Sequence, residues 1–156
     1  MKNPSIILAL LAIGALAVSL PMEWFSVQKI DFAGDRPFGN FNAAPSKTED
    51  TPVIGSKNSI RLGVDVPITF LVIIAGAGAV MALLNRLGAI VIPVWGILIP
   101  VFFSAAYFIL ELARITNDKL RTPGIGIFTA LTGTGLVVLA ALTCRPKDKG
   151  GDQQPE

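Results

Sequence analysis

Residues 66–110 read VPITFLVIIAGAGAVMALLNRLGAIVIPVWGILIPVFFSAAYFIL and contain one charged side chain, Arg86. A helix needs roughly 20 apolar residues to cross the hydrocarbon core of a bilayer, and this stretch holds two such lengths around Asn85-Arg86-Leu87-Gly88. Because so short a connection makes the two helices antiparallel, the sequence predicts a membrane-embedded hairpin with Gly88 in its turn. We expect transmembrane helices at residues 66–85 and 87–112.

The composition of the whole chain agrees with this prediction. Charged residues make up 15% of its 156 residues, and its mean hydropathy is +0.63. A soluble fold of this size could not bury so much apolar surface, so we expect an integral, multi-pass membrane protein with lipids as partners. The formal charge of +2 is too small to favour nucleic acid as a partner.

Two further apolar stretches, residues 1–22 and 122–144, bring the expected number of transmembrane helices to four. The fourth helix opens at Thr122-Pro123, where threonine can cap and proline fits the first turn. The first stretch has an alternative interpretation as a secretory signal peptide, with Lys2 and a possible cleavage site at Ala17-Val18-Ser19. We expect it to be retained as a helix, and we expect residues 145–156 to form a polar tail.

The basic residues give two conflicting indications of which side of the membrane each end of the bundle faces. With both termini cytoplasmic, five basic residues lie inside and eight lie outside, a raw count that opposes this orientation. The five occupy shorter segments, however, and the eight are diluted by nearby acids. We therefore expect both termini in the cytoplasm, in a bacterial-type inner (plasma) membrane, with the opposite orientation as the alternative.

The segment between the first two helices, residues 23–65, is the only substantial extramembrane part. Residues 60–65 alternate apolar and polar side chains, which predicts a strand, and residues 27–32 are the candidate antiparallel partner. The fold class expected is thus an all-α, four-helix up-and-down membrane bundle with a small β-hairpin-like loop between helices 1 and 2.

This layout resembles that of the claudins, which also combine four membrane helices with a sheet-forming first loop. Claudins carry a tryptophan and two disulfide-forming cysteines in that loop. Here Trp24 and Phe25 lie nearby, but the chain has a single cysteine, Cys144. The resemblance therefore covers topology only, and it implies no functional residues.

Four aromatic side chains of the loop are candidates for docking a partner subunit: Trp24, Phe25, Phe38 and Phe41. The alternative is that the loop phenylalanines pack beneath the loop or enter the lipid headgroups.

Small residues spaced for close helix contact form a second candidate set. In transmembrane helices such spacing lets two backbones approach. The set lies in helices 2 and 4: Gly76, Gly78, Ala82, Gly126, Ala130 and Gly133.

Two prolines in the third helix, Pro93 and Pro100, are predicted to kink it. Pro100 would free the carbonyl of Gly96, and the alternative is that this carbonyl holds an ion or a polar substrate. Glu111 and Arg114 are expected to form an ion pair at the membrane interface, with a functional buried acid as the alternative.

Histidine is absent, which removes the commonest general base and metal ligand near neutral pH. We expect no enzyme, no cofactor, no metal site and no catalytic residue. The leading hypothesis is a structural or accessory subunit of a larger membrane complex, bound to other subunits. The alternative is a small channel, carrier or lipid-binding protein that uses the third helix.

Overall fold

The computed structural model describes residues 4–30, 48–55, 59–61 and 65–143. The described chain is mostly helical, with four helices that alternate in direction. Their bounds are α1 Pro4–Ser19, α2 Ile68–Leu87, α3 Val94–Asn117 and α4 Ile125–Thr143.

Three of these helices, α2, α3 and α4, are long and apolar enough to cross a membrane, whereas α1 is a shorter apolar helix. All four carry large apolar side chains on their outward faces, including Leu10, Ile73, Ile99 and Leu139. Helices of this kind suggest a membrane protein.

Alanine and glycine line much of the bundle interior. Helices α1 and α4 form the most extensive contact, and α4 also contacts α2 and α3. Small side chains permit this close approach because they keep neighbouring helix backbones near each other. Interior small residues are contributed by three helices: Ala9, Ala12, Ala75, Gly78, Ala79, Ala82, Gly126, Ala130, Gly133, Ala140 and Ala141.

A three-stranded antiparallel sheet covers one end of the bundle, which we call the sheet end. Strand β1 (Glu23–Ile30) lies between β2 (Thr48–Ile54) and β5 (Arg121–Pro123). The outer strands come from different connections, because β2 precedes α2 and β5 joins α3 to α4. A separate two-stranded sheet pairs β3 (Ser59–Arg61) with β4 (Asp65–Pro67).

The predicted strand pairing is wrong. Residues 27–30 do belong to a strand, but β1 pairs with β2 and β5 rather than with residues 60–65. Residues 59–61 instead pair with residues 65–67. The connection between α3 and α4, where the sequence predicts no strand, supplies β5. Thr122 and Pro123 therefore lie in β5 and not at the start of α4.

The turn between α2 and α3 contains Gly88, as the sequence predicts. Gly88 has a φ of 75° and follows the last residue of α2, a left-handed conformation that glycine adopts without a Cβ clash. The connection is longer than expected, because α3 begins at Val94 rather than at residue 87. We call residues 88–93 the apolar turn, since every side chain in it is apolar or absent.

Candidate functional site

Trp24, at the start of β1, is the centre of the sheet end. Its side chain is fully buried, and its indole N–H donates a 2.8 Å hydrogen bond to the carbonyl of Ser19. Ser19 ends α1, so the indole satisfies a carbonyl that the helix itself leaves without a donor. The indole and the ring of Phe108 of α3 also form a T-shaped pair, with ring centroids 5.3 Å apart.

Two glycines make room for the indole. A Cβ atom at Gly55 would lie 2.1 Å from Trp24 Nε1, and one at Gly126 would lie 2.6 Å from Trp24 Cδ1. These distances are far below van der Waals contact. Gly55 follows β2 and Gly126 lies in the first turn of α4, so both segments close onto the same ring.

Backbone and side-chain contacts join the α3–α4 connection to β1. Gly124 N–H donates to the carbonyl of Trp24 at 2.8 Å, and Gln28 N–H donates to the carbonyl of Leu120 at 2.9 Å. The Arg121 guanidinium lies 5.3 Å from the centroid of the Phe25 ring. These contacts fix the short connection against the sheet, which makes the sheet end one continuous protein surface.

The structure describes two of the four candidate docking aromatics. Trp24 is a core side chain, so it cannot offer its ring to a partner while the fold is intact. Phe25 is half-buried beneath Arg121. Phe38 and Phe41 lie outside the described residues.

Most of the candidate packing residues lie in the bundle interior. Gly78 stands where three helices meet, because an added Cβ would be 2.4 Å from Val101 Cγ2 and 3.5 Å from Val137 Cγ1. At Gly133 a Cβ would be 2.9 Å from Leu16 Cγ. The set also includes three further buried residues: Ala82, Gly126 and Ala130.

Gly76 differs from the other candidate packing residues. It is only half-buried, and a Cβ atom added to it would have no neighbour within 4 Å among the described residues. Gly76 therefore does not mediate a close helix contact within the described bundle.

The two candidate kink prolines have different places. Pro93 is not a kink inside α3, because it is the N-cap residue, with φ −61° and ψ 142°. Pro100 does lie within the helix. One turn further on, the Ser104 hydroxyl is 3.0 Å from the Leu71 carbonyl of α2 and 3.2 Å from the Pro100 carbonyl. Ser104 therefore links α3 to α2 just past the proline.

Glu111 does not reach the surface as an interfacial anchor would. It follows Phe108 along the buried stripe of α3, and only 5% of its side chain is exposed. Its Oε2 atom is 3.9 Å from Arg114 Nη1 and accepts no hydrogen bond within the described chain. A carboxylate in this position is desolvated, which is costly in the absence of hydrogen bonds.

Metal-ligating side chains do not cluster in the part of the chain that the structure describes. No group of three or more His, Cys, Asp or Glu residues lies together in residues 4–30, 48–55, 59–61 and 65–143. Among these residues, the buried Glu111 carboxylate has the half-exposed Arg114 of the same helix as its ion-pair partner.

The residues that organise the sheet end could not be identified from the sequence. Gly55, Ser19 and Phe108 all contact Trp24, yet they are far apart in sequence and have no shared pattern. The usable signal was Trp24 itself, because a tryptophan just after an apolar helix needs both apolar contacts and an acceptor for its N–H. Residues 121–123 also carried a weak edge-strand signal in their proline.

No protein-family model matches this chain, and neither does any curated protein or solved structure.

Proposed function

We propose that this chain is a non-catalytic structural or accessory subunit of a larger membrane complex. Its four helices lie in the bilayer, and its sheet end projects into water and docks a neighbouring subunit. Both chain termini are cytoplasmic in this proposal, and the membrane is of the bacterial inner (plasma) type. The protein contributes helices and a docking surface, and it needs no cofactor.

The observation that carries this proposal is the contrast between the interior and the exterior of the bundle. The interior is filled by small and apolar side chains, with Ala75, Ala79 and Ala130 completely buried. Every helix exposes large apolar side chains, with Ile73 59% exposed and Ile99 66% exposed. Apolar outward faces of this extent are typical of surfaces covered by lipid or by another membrane protein.

The sheet end supports the docking part of the proposal. Because β1 is paired on both sides, β2 and β5 form the two edges of the sheet. Phe38 and Phe41 belong to the chain segment that joins β1 to β2. Aromatic side chains are enriched at binding hot spots, so these two remain our candidates for the docking contact.

Photocrosslinking in native membranes tests the docking role. A photoreactive amino acid at position 38 or 41 is expected to crosslink to one defined subunit, which should also be recovered at fixed stoichiometry after mild-detergent extraction. A matched photoreactive residue at Ile73, on the outward face of α2, should give lipid adducts instead. A monodisperse monomer without a crosslinked partner would refute the accessory role.

A second candidate function, a small channel, carrier or lipid-binding protein, is favoured by one observation. Glu111 lies on the buried stripe of α3, and ionisable residues inside membrane segments often mark ion or substrate pathways. Liposomes that contain the purified protein provide the test. This candidate predicts solute flux above that of empty vesicles, lost in Glu111→Gln and altered in Pro100→Ala. The structural role predicts no flux from any of them.

A further inference from the structure

The apolar turn is unusual among loops because its middle has no polar side chain. Gly88 and Pro93 lie at its ends, and the four residues between them are Ala89-Ile90-Val91-Ile92. Val91 is 94% exposed, and its neighbours Leu87 and Trp95 are 61% and 70% exposed. Turns that face water usually carry Asn, Asp, Ser or Gly, whose polar groups or backbone freedom suit hydration. An Ile-Val-Ile segment with Val91 almost completely exposed and both isoleucines half-buried does not fit that environment.

The backbone of the apolar turn finds hydrogen-bond partners within the protein at its two ends. Gly88 N–H donates to the Asn85 carbonyl at 3.2 Å, and Ala89 N–H donates to the Leu84 carbonyl at 3.0 Å. The Asn85 side-chain amide donates to the Ile92 carbonyl at 3.0 Å. Pro93 has no N–H to satisfy. The N–H groups of Ile90, Val91 and Ile92 have no partner among the described residues, so this backbone suits the boundary of acyl chains and headgroups, where water reaches it, rather than the hydrocarbon core.

The residues that flank the apolar turn suit the boundary between lipid and water. Trp95 lies in the first turn of α3 with its ring outward, and tryptophan is enriched at the level of the lipid headgroups. Arg86 lies in the last turn of α2, where a long cationic side chain can extend toward lipid phosphates. The sequence also continues without a charge from the turn to Ile99, an exposed residue of α3.

We propose that the apolar turn lies in the lipid leaflet at its end of the bundle, where acyl chains meet headgroups, with acyl chains as the partner of Val91 and the adjacent apolar side chains. The proposal rests on the membrane placement proposed above, and it adds that the α2–α3 hairpin does not project beyond the headgroups. The turn then anchors the hairpin in the leaflet, whereas the sheet end extends beyond the opposite face. A protein subunit or water covering the turn is the competing outcome.

Cysteine reactivity in lipid nanodiscs tests the proposal, because both membrane faces are open to reagent there. Cys144 is the only cysteine, so Cys144→Ser gives a clean background. Into it we would place Val91→Cys, Ile73→Cys on the outward face of α2, and Lys119→Cys in the exposed connection at the sheet end. A charged maleimide reacts with the thiolate, which needs water. We expect Val91→Cys and Ile73→Cys to react at least about tenfold more slowly than Lys119→Cys, and all three to react equally in SDS.

The three cysteine positions distinguish a failure of this inference from a failure of the proposed membrane placement. If Val91→Cys reacts as fast as Lys119→Cys while Ile73→Cys stays protected, the turn is in water and this inference is overturned, with the membrane placement intact. If Ile73→Cys also reacts fast, the membrane placement itself fails.

Tryptophan fluorescence distinguishes lipid from a second copy of the chain as the covering partner. The chain has two tryptophans, and subtracting the spectrum of Trp95→Phe isolates Trp95 from the buried Trp24. Lipids brominated near the headgroup end of the acyl chain should quench Trp95 in the purified protein. Protection of Val91→Cys without this quenching would show that protein covers the turn, and it would overturn the proposal.

Discussion

The two ends of the bundle differ in how they cover apolar side chains and satisfy backbone polar groups. At the sheet end, strands from two connections pair over the helices, and Trp24 is enclosed by Gly55, Gly126 and Phe108. At the other end, a six-residue turn leaves Val91 almost completely exposed. Each end carries one of the two tryptophans, one fully buried and the other on the surface.

This difference in exposure and hydrogen bonding indicates that the two ends suit different environments. The sheet end encloses Trp24 and Phe108 in protein and satisfies its backbone through strand pairing, as suits a water-facing structure, although Leu120 and Ile125 remain exposed there. The turn end satisfies the backbone groups at its two ends through Leu84 and Asn85 but leaves Val91 uncovered. Such an end needs an apolar environment outside the chain, which a bilayer provides.

The largest expected effect is the difference in stability loss between replacing Trp24 and replacing Trp95. Trp24→Ala removes a fully buried ring and its hydrogen bond to Ser19, so we expect the free energy of unfolding to fall by about 3–5 kcal/mol. Trp95→Ala removes an outward ring and should change it by less than about 0.5 kcal/mol. Unfolding in mixed SDS and maltoside micelles measures both. Equal effects would contradict the proposed asymmetry of the ends.

Two glycines of α4, Gly126 and Gly135, test whether the sheet end is tightly packed around Trp24. Gly126→Ala places a methyl group against the Trp24 ring, so we expect a destabilisation of about 1–3 kcal/mol from overpacking. At Gly135 an added methyl group meets nothing within 4 Å among the described residues. Gly135→Ala should be neutral or stabilise the helix by up to about 1 kcal/mol, because alanine favours helix more than glycine does. The micelle unfolding assay would expose an error if the two variants behaved alike.

At the turn end, Gly88→Ala forces a side chain into a conformation with a φ of 75°. We expect it to cost about 1–2 kcal/mol of unfolding free energy. Gly88→Asn is the control, because asparagine tolerates the left-handed conformation better and should lose less. If alanine and asparagine are equally harmless in the unfolding assay, the turn does not constrain the hairpin.

The smallest expected effect lies between the two ends, at Ser104. Ser104→Ala removes its hydrogen bond to the Leu71 carbonyl, and such bonds between membrane helices contribute about 0.6 kcal/mol on average. Ser5→Ala is the control, because the buried Ser5 hydroxyl has no hydrogen-bond partner among the described residues. It should leave stability unchanged or raise it. A larger loss at Ser5 than at Ser104 would contradict these assignments.

The helices could be predicted from the sequence because charge-free apolar stretches report directly on burial in lipid or protein. Their ends were harder to predict. Arg114 and Asn117 continue α3 as helix, although their polar side chains alone offered no reason to extend it. The turn glycine was predictable, since Gly88 follows the last apolar turn of α2 and glycine suits the left-handed cap.

The sheet could not be predicted in the same way, because its pairing depends on contacts between distant segments. Thr48–Ile54 contains polar residues and Pro52, and it lacks the alternation that marks a half-buried strand. Arg121–Pro123 is too short to show any period. The inward position of Glu111 was also hidden, since it depends on which face of α3 meets the other helices.

In the proposed placement these helices lie side by side in a bilayer, with the sheet end in water. Spin labels on the Cys144→Ser background at Ile99, Ala106 and Leu120 test it most directly in nanodiscs. We expect oxygen accessibility relative to a water-soluble nickel chelate to be highest at Ala106, lower at Ile99 and lowest at Leu120. If the nickel chelate reaches Ala106 as readily as Leu120, α3 does not cross the membrane and the proposed placement is wrong.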